Sequence, residues 1–170
     1  MRRLLGSISN RWLYLAGALF TGGLIGYALF LQYVKYQDPC PLCMVQRVIF
    51  IVILVLFAVA AVHGPKRIGT RIYAALIGLL ALSGSAVALR HVWIQNLPKD
   101  QVPACGPGLD YMLETMPMAN VLKQLLHGSG ECAEKTWTFL TLSIPEWSLL
   151  CYIALGVWGV LIALAKPTGK

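Results

Sequence analysis

Charged residues are scarce in this chain. They make up 12% of its 170 residues, whereas 58% are hydrophobic and the mean hydropathy is +0.68. A soluble domain of this length needs more charge to solvate its surface. The composition therefore excludes an ordinary soluble domain and indicates an integral membrane protein.

Charge is absent altogether from four apolar runs, at 12–34, 48–65, 72–89 and 147–165. Each is long enough to cross a hydrocarbon core about 30 Å thick. The first run is too long for the apolar part of a signal peptide and lacks a small-residue cleavage pattern. We predict one all-α membrane domain over 1–170, a four-transmembrane-helix bundle with helices at about 12–34, 45–64, 72–90 and 146–165. Loops at about 35–44 and 91–145 would lie outside.

Acidic residues are missing from one side of this predicted topology. That side has eight basic residues and no acid: Arg2, Arg3, Arg11, Lys66, Arg67, Arg71, Lys166 and Lys170. The other side has six basic and seven acidic residues: Lys35, Arg47, Arg90, Lys99, Lys123, Lys135, Asp38, Asp100, Asp110, Glu114, Glu131, Glu134 and Glu146. The positive-inside rule then predicts that both termini are cytoplasmic. The net charge of +7 reflects topology, which makes nucleic-acid binding a poor explanation of the basic pI.

Two cysteines lie where a short polar segment meets the second apolar run. Cys40 and Cys43 have the Cys-x-x-Cys spacing, which is typical of a redox pair. We expect residues 40–43 to form a turn and a helix to begin near Cys43, whose thiolate the unpaired N–H groups of that helix would favour. Arg47 follows one helical turn later and would add a positive charge on the same face. An arginine near hydrocarbon usually marks a functional site, although a snorkelling side chain is the alternative.

The remaining cysteines occur singly, with no histidine flanking the pair, which argues against zinc as the alternative to a redox site. Cys105 and Cys132 enclose 26 residues, and a structural disulfide there would contribute about 3–4 kcal/mol in the chain-entropy model. The proline- and glycine-rich surroundings of Cys105 instead favour an accessible, reactive sulfur. Both interpretations stay open. Cys151 lies within the fourth run and is interpreted as a small buried hydrophobic residue.

The third predicted helix ends close to His91, which would emerge on the same side as Arg47, either as an interface residue or as part of the site. A long loop follows, and loops of about 50 residues are usually functional or disordered. Its segment 109–126 is amphipathic, with Pro117 expected to break or kink it. We expect this segment to lie on the bilayer surface.

Together these features resemble the DsbB family of membrane oxidases over essentially the whole chain. The resemblance is carried by Cys40-Pro41-Leu42-Cys43 with Arg47 behind it, by Cys105 and Cys132 in a long outer loop, by His91 and Gln95 closing the third helix, and by the stretches 130–137 and 144–147. It implies a quinone-dependent protein-dithiol oxidoreductase of the bacterial inner membrane. The expected partner is a periplasmic thiol oxidase of the DsbA type, and we expect a monomer without a metal.

The resemblance also implies an order of electron transfer. A cysteine of reduced DsbA would attack Cys105 of a Cys105–Cys132 disulfide, and Cys132 would then pass the electrons to the pair of Cys40 and Cys43. Cys43 as thiolate would donate them to ubiquinone or menaquinone at the outer membrane interface.

Four further side chains are implied at the quinone. Arg47 would stabilise the thiolate and the developing quinone anion, while His91, Gln95 and Gln46 would border the ring.

Two alternatives to a general DsbA oxidase stay open, namely a paralogue serving one dedicated thiol partner and a non-enzymatic membrane protein with structural cysteines. A carrier that passes reducing equivalents outward would need a cytoplasmic thiol pair, and the predicted cytoplasmic face has no cysteine.

Overall fold

The computed structural model describes residues 10–98, 100–103, 109–135 and 137–164. In chain order its elements are α1 (Asn10–Val34), α2 (Pro41–His63), α3 (Arg67–Gln95), α4 (Leu109–Thr115), α5 (Met118–His127), a 3-10 helix (Gly130–Ala133), β1 (Thr138–Phe139), β2 (Leu142–Ser143) and α6 (Ile144–Leu164).

Four helices, α1, α2, α3 and α6, are long and apolar enough to cross a membrane. They confirm the predicted four-span bundle. The most extensive packing joins α3 to α6, and α2 packs against both α1 and α3. The shared core includes Tyr14, Phe57, Ile77 and Tyr152. Most other large apolar side chains point outward, as a lipid environment permits.

The helices are longer than the apolar runs that predicted them. α2 begins at Pro41 instead of about 45, and α3 runs from Arg67 to Gln95 instead of 72–90. Proline is favoured in the first helical turn because its missing N–H has no partner there. At α3, the charged Arg67, Arg71 and Arg90 extend the helix past the apolar run, since a helix can continue into the polar interface.

The long loop contains structure of its own. Pro117 separates α4 from α5, as predicted. The Arg90 guanidinium, on α3, donates to the carbonyls of Leu126 and His127, the last residues of α5. The loop therefore folds back onto the bundle.

A two-stranded hairpin, β1 with β2, precedes α6 and was not predicted. Its two turn residues, Leu140 and Thr141, both have positive φ. That conformation suits the right-handed twist of a hairpin but normally selects asparagine or glycine.

At one end of the bundle, α1 and α3 finish while α2 and α6 begin. The 3-10 helix contacts α2 and α3 at this end. We call it the cysteine end because Cys40, Cys43 and Cys132 all lie there.

Candidate functional site

The sulfur of Cys40 lies at the N-terminus of α2. Cys40 is the N-cap residue, with φ −64° and ψ 164°, and its Sγ accepts a hydrogen bond from the backbone N–H of Cys43 over 3.4 Å. The two sulfurs are 3.0 Å apart. The N–H groups at the helix N-terminus therefore bind the sulfur of Cys40. The sequence predicted that they would act on Cys43, and this prediction was wrong because α2 starts earlier and places Cys43 inside its first turn.

Cys132 is buried beside Cys40 in a small apolar cluster with Leu42 and Ile94. The turn before it depends on Gly128, whose φ is +82°. A Cβ at Gly128 would lie 2.6 Å from Ile94 Cδ1, so only glycine fits both the backbone and the contact. The neighbouring Cys40 side chain and burial together raise the pKa of the Cys132 thiol.

His91 is 2% exposed and lies behind Cys40, not at an interface. Its Nε2 is 3.1 Å from the carbonyl oxygen of Cys132 and 3.6 Å from the Sγ of Cys40. Its Nδ1 is 3.3 Å from the side-chain nitrogen of Gln46, which is also buried. The fold therefore joins two predicted quinone residues to each other and to two of the cysteines.

Arg47 reaches from α2 to α1. Its guanidinium donates to the side-chain oxygen of Gln32 and to the backbone carbonyl of Ala28. The sequence analysis did not identify Gln32 as a site residue. The available signal was that Gln32 is an isolated amide near the end of an apolar run.

Gln95, the last residue of α3, is held by the start of α6. Ser143 Oγ lies 2.8 Å from Gln95 Oε1 and 2.7 Å from Glu146 Oε2, and the N–H of Ser143 donates to the same Glu146 oxygen over 2.6 Å. The bond from the Ser143 N–H to the Glu146 carboxylate is one half of a capping box, in which a glutamate side chain accepts from the backbone N–H three residues earlier at a helix N-terminus. Its Ser-x-x-Glu spacing before an apolar run could have identified Ser143 and Glu146.

A cavity of about 510 Å³ opens at the cysteine end between α1, α2 and α6. Six of the eight predicted site residues line it: Cys40, Cys43, Gln46, Arg47, His91 and Gln95. Cys132 lies against Cys40 behind this wall, and Cys105 lies outside the described residues. Cys151 also lines the cavity and packs on the main apolar cluster.

Aromatic rings form one wall of this cavity. Tyr27 on α1 contacts Trp137, Trp137 stacks on Phe139 of β1, and Phe139 contacts Trp147 of α6, with ring centroids about 6 Å apart. All four line the cavity. The unpredicted hairpin therefore closes the site between α1 and α6.

The Sγ atoms of Cys40 and Cys132 and a ring nitrogen of His91 lie within 4.8 Å of one another, a spacing that a metal ion could bridge. The His91 nitrogen concerned, Nε2, faces the carbonyl of Cys132, which can only accept a hydrogen bond. A proton on Nε2 satisfies that carbonyl and leaves no lone pair for a metal. The arrangement favours a thiol relay over a metal centre.

A family model for the disulfide bond formation protein DsbB matches residues 10–162. The chain belongs to the DsbB family. It is 52% identical over 152 residues to disulfide bond formation protein B of Hahella chejuensis, covering 89% of this chain and 92% of that protein. It is 48% identical over 146 residues to disulfide bond formation protein B 1 of Pseudomonas aeruginosa, covering 86% and 90%. It is 43% identical over 153 residues to the Methylococcus capsulatus protein of the same name, covering 90% and 93%.

Membership of the DsbB family confirms the family resemblance and the enzyme class predicted from the sequence. The chain is a multi-pass membrane protein and a disulfide-forming oxidoreductase. The family works with a quinone and implies a thiol partner in a disulfide relay.

Proposed function

We propose that this DsbB-family protein reoxidises a periplasmic thiol oxidase of the DsbA type and passes the two electrons through two cysteine pairs to a membrane quinone. The proposal rests most on one observation, the cavity that has Cys43 and Arg47 in its wall.

The cavity fits a quinone head group by size and chemistry. Its volume of about 510 Å³ lies within the range of small-molecule sites, roughly 300–1,000 Å³. Its lining is mainly apolar and aromatic, with a few polar side chains from α2 and α3. A bound quinone would supply the two-electron acceptor. Arg47 and Gln95 are the residues we propose to hold it, and the His91 ring would border it.

The route into this site runs through Cys132 and Cys40, whose sulfurs lie within 4.8 Å. A cysteine of the reduced partner attacks Cys105, and Cys132 leaves with the electron pair as the Cys105–Cys132 bond breaks. The Cys132 thiolate then attacks Cys40 of a Cys40–Cys43 disulfide. The new bond joins Cys40 to Cys132, and Cys43 is released as a thiolate beside the cavity.

The environment of Cys132 affects both halves of this step, because a raised pKa makes its thiolate a stronger nucleophile toward Cys40 and a poorer leaving group from Cys105. Its raised pKa means that reduced Cys132 at rest keeps its proton and is a poor nucleophile. Its thiolate arises as a leaving group, when the partner opens the disulfide to Cys105. Attack on Cys40 is thereby coupled to arrival of the partner.

We also propose the orientation predicted by charge, with both termini in the cytoplasm and the cysteine end at the periplasmic face of the inner membrane. Arg11, Lys66, Arg67 and Arg71 lie at the opposite end of the bundle from Cys40. In this orientation the cysteine end lies in the compartment where disulfides form and persist.

An anaerobic assay tests the proposal. Purified protein is mixed with a reduced DsbA-type partner and a soluble quinone analogue, and quinone absorbance is followed together with partner thiols. We expect one quinone reduced for every two thiols lost, and no reduction with Cys43→Ser.

Persistence of the partner thiols, with both cysteine pairs of the protein oxidised at the start, would contradict a general DsbA oxidase. Thiol loss with a different periplasmic thiol oxidase would then identify a dedicated partner. Quinone reduction that survives Cys43→Ser would contradict the proposed donor.

A further inference from the structure

Both ring nitrogens of His91 have a polar neighbour, and the ring and the Gln46 side chain are almost fully buried. His91 is 2% exposed and Gln46 is 3% exposed. Nε2 faces the Cys132 carbonyl at 3.1 Å and the Cys40 sulfur at 3.6 Å, while Nδ1 faces the Gln46 side-chain nitrogen at 3.3 Å. For a buried imidazole, the position of the ring proton follows from whether the groups that face each nitrogen can donate or accept a hydrogen bond.

A backbone carbonyl has no proton, so the Nε2 atom that approaches Cys132 carries one. In a neutral imidazole the other nitrogen is then an acceptor, and Gln46 offers Nδ1 its NH₂ group. The two contacts agree on one tautomer, the neutral ring with its proton on Nε2. While Cys40 is held in a disulfide it offers no anion to a buried imidazolium, so in that state burial favours the neutral ring.

We infer that Gln46 is a positioning residue, which donates to Nδ1 of His91 and thereby keeps the ring proton on Nε2, directed at the Cys40 sulfur and the Cys132 carbonyl. The inference rests on the proposed function for the step it assists. Whenever a disulfide to Cys40 opens with its electron pair left on Cys40, the N–H of His91 stabilises that negative charge. The same N–H holds the Cys132 backbone against Cys40.

The backbone of Gln46 is held in place by a contact with α6. The Tyr152 hydroxyl on α6 donates to the Gln46 backbone carbonyl over 2.7 Å, and its ring stacks on Phe50 with centroids 4.1 Å apart. This anchor orients the first turns of α2 against α6 and so sets where the amide of Gln46 points. With its NH₂ engaged by His91, Gln46 acts on the chemistry through that ring and not as a primary quinone ligand.

The tautomer can be observed directly by ¹⁵N NMR of protein labelled at its three histidines, with His91 assigned from a His91→Gln sample. The wild-type protein should show a protonated Nε2 and an unprotonated Nδ1. Gln46→Glu keeps the shape but puts a carboxylate opposite Nδ1, so the unprotonated Nδ1 signal should disappear. Gln124→Met, at an exposed site on α5, should leave the His91 signals unchanged.

An unprotonated Nε2 in the wild-type protein would overturn the inference, as would a Gln46→Glu spectrum identical to wild type. This readout requires no turnover. The tautomer of His91 is therefore tested independently of the proposed quinone reaction.

Kinetics separate positioning from direct quinone binding. Gln46→Met has the same length and no donor, and we expect it to lower kcat for partner oxidation about tenfold while KM for the quinone analogue stays within about twofold. A rise in KM with unchanged kcat would show that Gln46 contacts the quinone, and would contradict the positioning role.

Discussion

Arg47 donates to two acceptors on α1, the Gln32 side chain and the Ala28 carbonyl, while lining the cavity. A guanidinium has five N–H donors, so others are available for a ligand. Gln32 and Ala28 are both uncharged, which leaves the positive charge uncompensated by these contacts. The residue is therefore suited to bind an anion beside Cys43.

Replacing Arg47 by methionine should weaken binding of the quinone. Loss of a hydrogen bond from a charged donor costs about 1.5–3 kcal/mol, which corresponds to a rise in KM of about tenfold to a hundredfold. Steady-state kinetics against quinone concentration measure this. Lys35→Met is the control, because Lys35 is an exposed cation at the same end and does not line the cavity. Equal KM values for the two variants would remove Arg47 from the site.

Replacing Cys132 by serine should trap a mixed disulfide, formed when the Cys105 thiolate attacks the disulfide of the oxidised partner and frees the partner's second thiol, because Cys132 is no longer there to displace the partner from Cys105. Non-reducing electrophoresis and peptide mapping identify the bond. A bond to Cys40 instead would show that the partner enters the relay at the other pair.

Some site residues could be predicted from the sequence, whereas the contacts of others could not. The spacing of Cys40, Cys43 and Arg47 along one helix is local, so it places all three in one wall. The burial of His91 and its contact with Cys132 depend on a turn some forty residues away. No local pattern specifies such a contact.

At the scale of elements, the site depends on how closely α3 approaches α6. Gly84 of α3 lies against the ring of Tyr152, whose hydroxyl holds the Gln46 carbonyl. In α1, Gly22 and Gly26 have the GxxxG spacing that permits close helix approach, but the packing there is looser, and no atom of the other described residues lies within 4 Å of a Cβ built at Gly26. Close helix contact therefore occurs at Gly84 and not at that motif.

Gly84→Ala should destabilise the bundle by about 1–3 kcal/mol, because the added methyl overlaps the Tyr152 ring. Thermal unfolding in detergent checks this. Gly78→Ala, six residues earlier on the same helix, meets no atom of the other described residues within 4 Å and should leave the unfolding temperature unchanged or raise it slightly. Equal unfolding temperatures for the two variants would contradict the packing described for α3 and α6.

The four long helices could be predicted because each contains a long uncharged apolar run, whereas the hairpin could not. Its turn uses Leu140 and Thr141 in a conformation that sequence normally signals with glycine or asparagine. The early start of α2 was missed because residues 40–43 lie outside the apolar run. The capping sulfur of Cys40 and the proline at position 41 stabilise this first turn.

Over the whole molecule, charge and chemistry separate to opposite ends. The loop joining α2 to α3 and the first turns of α3 carry Lys66, Arg67 and Arg71 and no acid, while the cysteine end carries both signs. By the positive-inside rule this difference orients the bundle.

The orientation predicts which added cysteines are accessible from the periplasm. In a background with the native cysteines replaced by serine, Lys35→Cys should react with a membrane-impermeant maleimide in spheroplasts. Lys66→Cys should react only after lysis. Both side chains are exposed, so accessibility across the membrane decides the result. The reverse pattern would place the cysteine end in the cytoplasm.

We propose that the cavity beside Cys43 holds the quinone, and labelling with a photoreactive quinone analogue can locate the binding site. After irradiation and digestion, we expect labelled peptides from the cavity walls, within 24–31 of α1 and 144–151 of α6, with labelling reduced by unmodified quinone and by Arg47→Met. If the labelling that unmodified quinone competes away were confined to helix faces outside this cavity, the quinone would bind elsewhere.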